Sequence, residues 1–280
     1  YLVFAYGARA RLACPGARDT GGARSDTSPP ASGPSPIPPP VAIGPDTLTE
    51  VLRLGWRDFV RAPVYGVMFS LVYVLGGMLL FAIATAAAAE YWFIPIAVGF
   101  PILAPFAATG LYEVSRRLEA GEPISMGAVL GCVFAQKDRQ VPSMAMFVVL
   151  VFMFWVFVAH TTFALFWGLQ PVGLSLREML LSGTGLTMLA FGTIVGGAMA
   201  AAFFALTVVS LPLLLDREVD FISAMIASFQ CVMANPWVMA RWALLIAVGL
   251  FLAMLPGFLG LFIALPVFGH ASWHLYRRLL

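Results

Sequence analysis

Nine ionisable residues gather at the ends of three apolar segments: Glu113, Arg116 and Arg117, then Asp216 and Arg217, then His270, His274, Arg277 and Arg278. Ionisable groups within a membrane-type segment mark ion or proton pathways by default. Beside an interface the same residue types more often pin helix ends, because arginine stems snorkel and their heads pair with carboxylates. The sharper alternative is a contact between Asp216 and His270 supported by Arg217. Both residues follow a proline by four positions, Pro212 and Pro266, and Thr109 stands equivalently after Pro105.

His270 and His274 are four apart and share a helix face, one geometry for holding a metal. No glutamate follows His270 in the metalloprotease pattern, and no third histidine or cysteine accompanies the pair. Bis-histidine haem needs two histidines at one depth on facing helices. His160 should differ in depth from the other two by more than about 10 Å, from the rise per residue of a helix. A haem–copper oxidase core needs more histidines than the three present. Cys14, Cys132 and Cys231 form no Cys-x-x-Cys pair, so neither a disulfide framework nor a zinc site is expected. The reading is a chain with no catalytic residues, metal or cofactor.

The elements that position these residues are membrane helices. Of 280 residues, 61% are hydrophobic and 11% charged, and mean hydropathy is +0.91. That apolar surface exceeds what one soluble core can bury, so the lipid bilayer is the expected partner. Net charge is +2 and Lys137 is the single lysine, which leaves no basic stripe for nucleic acid. Six stretches have spanning length, at about Val64–Ala87, Tyr91–Tyr112, Ser143–Gly168, Gly183–Leu215, Trp237–Leu255 and Phe258–Tyr276. The fourth is too long to run straight, so tilting, or extending past the membrane, is expected of it.

Basic residues alternate between the loops. Arg53, Arg57, Arg61, Arg116, Arg117, Lys137, Arg139, Arg217, Arg241, Arg277 and Arg278 fall on one side and Arg177 on the other. The positive side is cytoplasmic, so both termini are expected to face inward. Trp56, Trp237, Trp242 and Trp273 then fall at the inner interface, and Trp92 and Trp167 at the outer one.

An amphipathic segment precedes each odd-numbered span. In 47–62, Leu48, Val51, Leu52, Trp56 and Phe59 share one face, opposite Glu50, Arg53, Arg57 and Arg61, and Thr47 and Glu50 have capping-box spacing. The second carries Met126, Val129, Leu130 and Val133 behind Ser125. The third carries Ile222, Met225, Ile226, Phe229 and Val232 behind Asp220. Pro63, Pro142 and Pro236 then open the spans. The expected fold is all-α and polytopic: six transmembrane helices plus three interfacial helices, in three pseudo-repeats of interfacial helix and helical hairpin at 47–120, 121–218 and 219–280. Residues 1–46, rich in Pro, Gly, Ser and Arg, read as a disordered tail. In the fourth span Gly192, Gly196, Gly197, Ala198, Ala200, Ala201 and Ala202 form a small-residue run, which reads first as packing inside the monomer.

Four motifs carry a family resemblance: Gly55–Phe59, Gly110–Glu119, Leu213–Arg217 and Gly269–Arg277. Over roughly 47–280 the chain resembles the bacterial family of predicted integral membrane proteins of unknown function numbered 2189. Some members are labelled cytochrome c oxidase subunits. The resemblance implies a bacterial membrane protein and supplies no catalytic residues to carry over. With the residues above, the expectation is a non-catalytic accessory or assembly protein of a membrane complex, respiratory or otherwise, in the inner membrane. The alternative is a small-solute transporter or channel.

Overall fold

The computed structural model describes residues 36–85, 90–167 and 181–280. Residues 1–35 of the expected tail, with Cys14, and the loop residue Arg177 lie outside them, as do the side chains of Trp92 and Trp167. The described residues form α-helices and a single 3-10 turn, with no strand among them. In chain order the helices are α1 (Asp46–Arg61), α2 (Pro63–Thr85), α3 (Glu90–Ala120), α4 (Met126–Ala135), α5 (Val141–Trp167), α6 (Gly183–Thr207), α7 (Ser210–Asp216), α8 (Phe221–Ala234), α9 (Pro236–Met254) and α10 (Leu261–Leu279).

Local chemistry sets the boundaries. Ser125 accepts from the Ala128 N–H at 3.2 Å and Asp220 from the Ser223 N–H at 2.8 Å, so both expected caps form. The capping box at Thr47 and Glu50 does not: α1 starts behind Pro45 without a side-chain cap, and Glu50 turns instead to Arg278. α3 ends in a left-handed Gly121 at φ +66°, with the Glu122 N–H returning to the Arg117 carbonyl at 2.9 Å. Pro63 and Pro236 each open a helix, and α1 turns into α2 through 99°.

By length and composition, α5, the α6–α7 pair and α9 can each cross a membrane, and α1 with α2 makes a fourth candidate if the bent pair counts as one. The second expected span begins among side chains outside those described. The sixth, α10, is diluted by His270, His274, Arg277 and Arg278 in its C-terminal half. The long fourth stretch is broken. Its helix opens at Val208–Val209, and Ser228 of α8 fills the break, accepting from the Val209 N–H at 3.1 Å and donating to the Ala205 carbonyl at 2.8 Å. Ser228→Ala should therefore cost about 2 kcal/mol, since it strands two buried backbone groups. Thermal unfolding in detergent checks this, and an unchanged midpoint would show that the break satisfies itself.

The core gathers at one end of the bundle, where Leu213, Leu215, Met239, Trp242, Trp273, Tyr276 and Leu279 are buried. Trp242 and Trp273 are thus core residues, not belt residues, while Trp56 and Trp237 are 52% and 81% exposed. Away from that end the helices bury little of themselves. Only 17% of the most apolar stretch of α5 and 11% of that of α9 is covered by the chain. The tail's last residues are not loose. The Val41 N–H donates to the Leu279 carbonyl at 2.9 Å, the Ile43 N–H to Asn235 Oδ1 at 2.8 Å, and Asn235 Nδ2 to the Val41 carbonyl at 3.0 Å.

Candidate functional site: a buried polar seam

α1 and α10 make the most extensive helix–helix contact among the described residues. The buried face of α1 is Leu48, Val51, Gly55 and Asp58. This corrects the expected apolar face, because Trp56 points away from the core and Leu52 and Phe59 are only half-buried. The reason lies at Gly55. A Cβ there would sit 2.6 Å from the Val267 carbonyl oxygen and 2.8 Å from the Ala271 nitrogen, so the two backbones approach too closely for any side chain. That approach fixes the helix rotation and drives Asp58, one turn on, into the interface.

Asp58 is fully buried and Oδ2 lies 2.7 Å from His274 Nε2. Arg57 reaches its other oxygen at 3.4 Å. Ser115 of α3 adds to the lowering of the Asp58 carboxyl, and its Oγ lies 2.8 Å from His270 Nδ1. Two buried polar contacts, His274–Asp58 and Ser115–His270, therefore tie α10 to α1 and to α3. Burial alone would push the Asp58 carboxyl up. Hydrogen bonds from His274 and Ser115, with the charge of the His274 ring, outweigh it and hold the carboxyl below its ordinary range.

The other candidate residues fall into separate groups. Glu113, fully buried, takes Arg116 at 2.8 Å and Arg117 at 2.6 Å, and Arg116 also holds Glu122 at 3.0 Å. This set is local to the end of α3. The Glu113 and Glu122 carboxylates hold the Arg116 guanidinium above its ordinary value, although burial opposes them. Asp216 meets Tyr276 Oη at 2.7 Å and Arg277 at 3.8 Å. The expected Asp216–His270 pair is thus replaced: Tyr276, six residues beyond His270, takes Asp216, and His270 turns to α3. Arg217 donates to the Pro36 carbonyl at 2.9 Å, Arg278 holds Glu50, and Trp273 donates to Glu119 at 2.9 Å. Thr109 donates to the Pro105 carbonyl of its own helix at 2.7 Å. His160, exposed, turns Nδ1 to the Val156 carbonyl.

Asp58, Ser115, Glu119, Tyr276 and Asn235 were missed by the sequence reading. Asp58 had a signal: it continues the 48, 51, 55 spacing, so it is a carboxylate on an otherwise apolar stripe. The histidines four apart do share a face, but each is taken by a different helix. Among the described residues no group of three His, Cys, Asp or Glu side chains is placed to hold a metal. Cys231 is a buried free thiol. The seam is sealed from solvent. Apart from His270 Nε2, which is buried without a hydrogen-bond partner, its groups are spent on one another, so its chemistry is that of a clamp between helices.

The stretch from α3 through α7 carries a likeness to a known family. Residues 93–216 match the DUF2189 family, described as predicted integral membrane proteins. The DUF2189 match includes the Gly110–Glu119 motif and nearly all of Leu213–Arg217, while the Gly55–Phe59 and Gly269–Arg277 motifs lie beyond its ends. No curated protein and no solved structure matches the chain. With the DUF2189 match and its apolar helices, the chain is a predicted integral membrane protein whose lipid setting follows from its surface.

Proposed function

We propose that this protein is a non-catalytic accessory or assembly protein of a membrane complex in the bacterial inner membrane. In this reading it has six spans in three units, and both termini are cytoplasmic. α2, α3, α5, α6–α7, α9 and α10 coincide with the six apolar stretches. The α1, α4 and α8 segments before α2, α5 and α9 support the threefold organisation.

The observation that carries the functional reading is the open small-residue face of α6. A Cβ added at Gly192 or Gly197 would meet nothing within 4 Å, and one at Gly196 only the Trp155 ring at 3.6 Å. The run therefore is not a packing seam inside the monomer, as its composition suggested. Beside it a groove of about 350 Å³ opens between α5 and α6, lined by Trp155, Thr162, Met188, Thr193 and neighbouring apolar side chains. Small residues lower the entropy and steric cost of bringing a second helix close in lipid. A transport path would need polar walls from several units. This groove takes its walls from two helices, and Thr162 spends its hydroxyl on the Val158 carbonyl. The transporter reading is the weaker one for that reason.

Gly197→Phe is the test. The isolated variant should unfold no lower than the parent, because the added ring enters open space and replaces a helix glycine. Its stoichiometric protein partner, recovered from native membranes with the parent, should be lost. Absence of any such partner with the parent, or equal recovery with the variant, overturns the reading.

A further inference from the structure

We propose that the exposed face of α1 binds the anionic headgroups of phospholipids in the adjoining leaflet. α1 meets α2 at 99°, so an α2 that crosses the bilayer holds α1 in the plane of its surface. The buried side of α1 is spent on α10. Its other side exposes Trp56 and Val60, and that apolar strip continues across the bend onto Val64 and Val67 of α2. The strip therefore enters the acyl boundary beside α2, with the Trp56 indole at headgroup depth.

Arg53, Arg57 and Arg61 recur every four residues along this strip, and all are exposed. The acids of the helix do not neutralise them. Glu50 holds Arg278, and Asp58 is buried against His274. Arg57 touches Asp58 at 3.4 Å but keeps 45% of its side chain exposed. Among the described residues, Arg53 and Arg61 have no ion-pair partner. A planar guanidinium matches phosphate oxygens in pairs, and three of them beside an apolar strip complement a lipid with net negative charge. A zwitterionic headgroup offers the same phosphate next to its own cation. The contribution of each basic residue at an anionic surface makes the combined preference about a hundredfold. The site needs no protein partner, so it stands apart from the accessory role.

The full chain, reconstituted in nanodiscs of phosphatidylcholine, is titrated with phosphatidylglycerol carrying brominated acyl chains, and quenching of Trp56 is read against a Trp56→Phe reference. Saturable quenching at low mole fraction is expected, absent with brominated phosphatidylcholine and weakening as salt rises. Arg53→Gln/Arg57→Gln/Arg61→Gln should lose the preference, and the triple lysine variant should retain most of it. Equal quenching by both lipids, an unchanged triple glutamine variant, or displacement by inorganic phosphate alone overturns the site. Should the glutamine variant fail to fold, the salt dependence of the parent decides: a preference unaffected by salt counts against it.

Discussion

Gly55→Ala is expected to lower the melting temperature of the detergent-solubilised chain by about 10 °C. A single methyl is added, but it arrives 2.6 Å from a carbonyl oxygen and 2.8 Å from a backbone nitrogen of α10. Side chains can rotate away from an intruder, whereas helix backbone cannot, so α1 must slide off as a unit. Overpacking of this kind costs about 3 kcal/mol, and a chain of this size loses a few degrees per kcal/mol. Gly197→Ala provides the contrast. With no atom near its Cβ, it keeps the gain in helix propensity of about 1 kcal/mol. Opposite signs at two glycines of one chain, read by the same melt, would locate the tight seam at α1–α10. Equal effects would mean that α1 is not seated there.

Asp58→Ala is expected to be the most damaging single change in the polar seam, at about 3 kcal/mol. Removing one partner of a buried pair leaves the other unsatisfied, and here it leaves His274 short of an acceptor. Asp58→Asn keeps the shape and one acceptor oxygen and should lose less. The pH dependence carries the sign. The carboxyl of Asp58 is depressed below its ordinary 3.8 in the folded chain. Its contribution is therefore fully present above that value and disappears as pH falls through the lower, folded value. The parent should lose stability in that acid window. Asp58→Asn should show a flatter acid limb there, which urea unfolding measured at stepped pH would reveal. Identical limbs would exclude Asp58 as the titrating group.

Part of this molecule was legible from its residues. Three of the apolar stretches of spanning length, now α5, α6–α7 and α9, the prolines that open α2 and α9, and the side-chain caps at Ser125 and Asp220 all depend on near neighbours, and these are where the sequence put them. The seam was not legible for a physical reason. Which face of α1 turns inward depends on how closely α10 approaches, and only the absent Cβ at Gly55 permits that approach. Amphipathicity weighed Trp56 above a glycine and so favoured the wrong face by about one residue's rotation, which hid Asp58 among the solvated charges. The gathering of charges at the ends of α3, α7 and α10 was visible, but the pairings within it were not. Tyr276 and His270 both stood within reach of a partner, and only the rotation of α10 assigns Tyr276 to Asp216 and His270 to Ser115.

The handshake between α1 and α10 also sets an order of events during synthesis. α1 emerges from the ribosome among the first of the described residues, yet the backbone groups it nests against, from Val267 to Ala271, and the imidazole that takes Asp58 are made only with α10. Val41 waits similarly for the Leu279 carbonyl. Until α10 is in place, the nascent chain must carry a polar-faced α1 with its carboxylate still hydrated. The docking of α10 is thus the step that dries Asp58, so an intermediate halted before α10 should be recognisable by an α1 still open to proteases and to water.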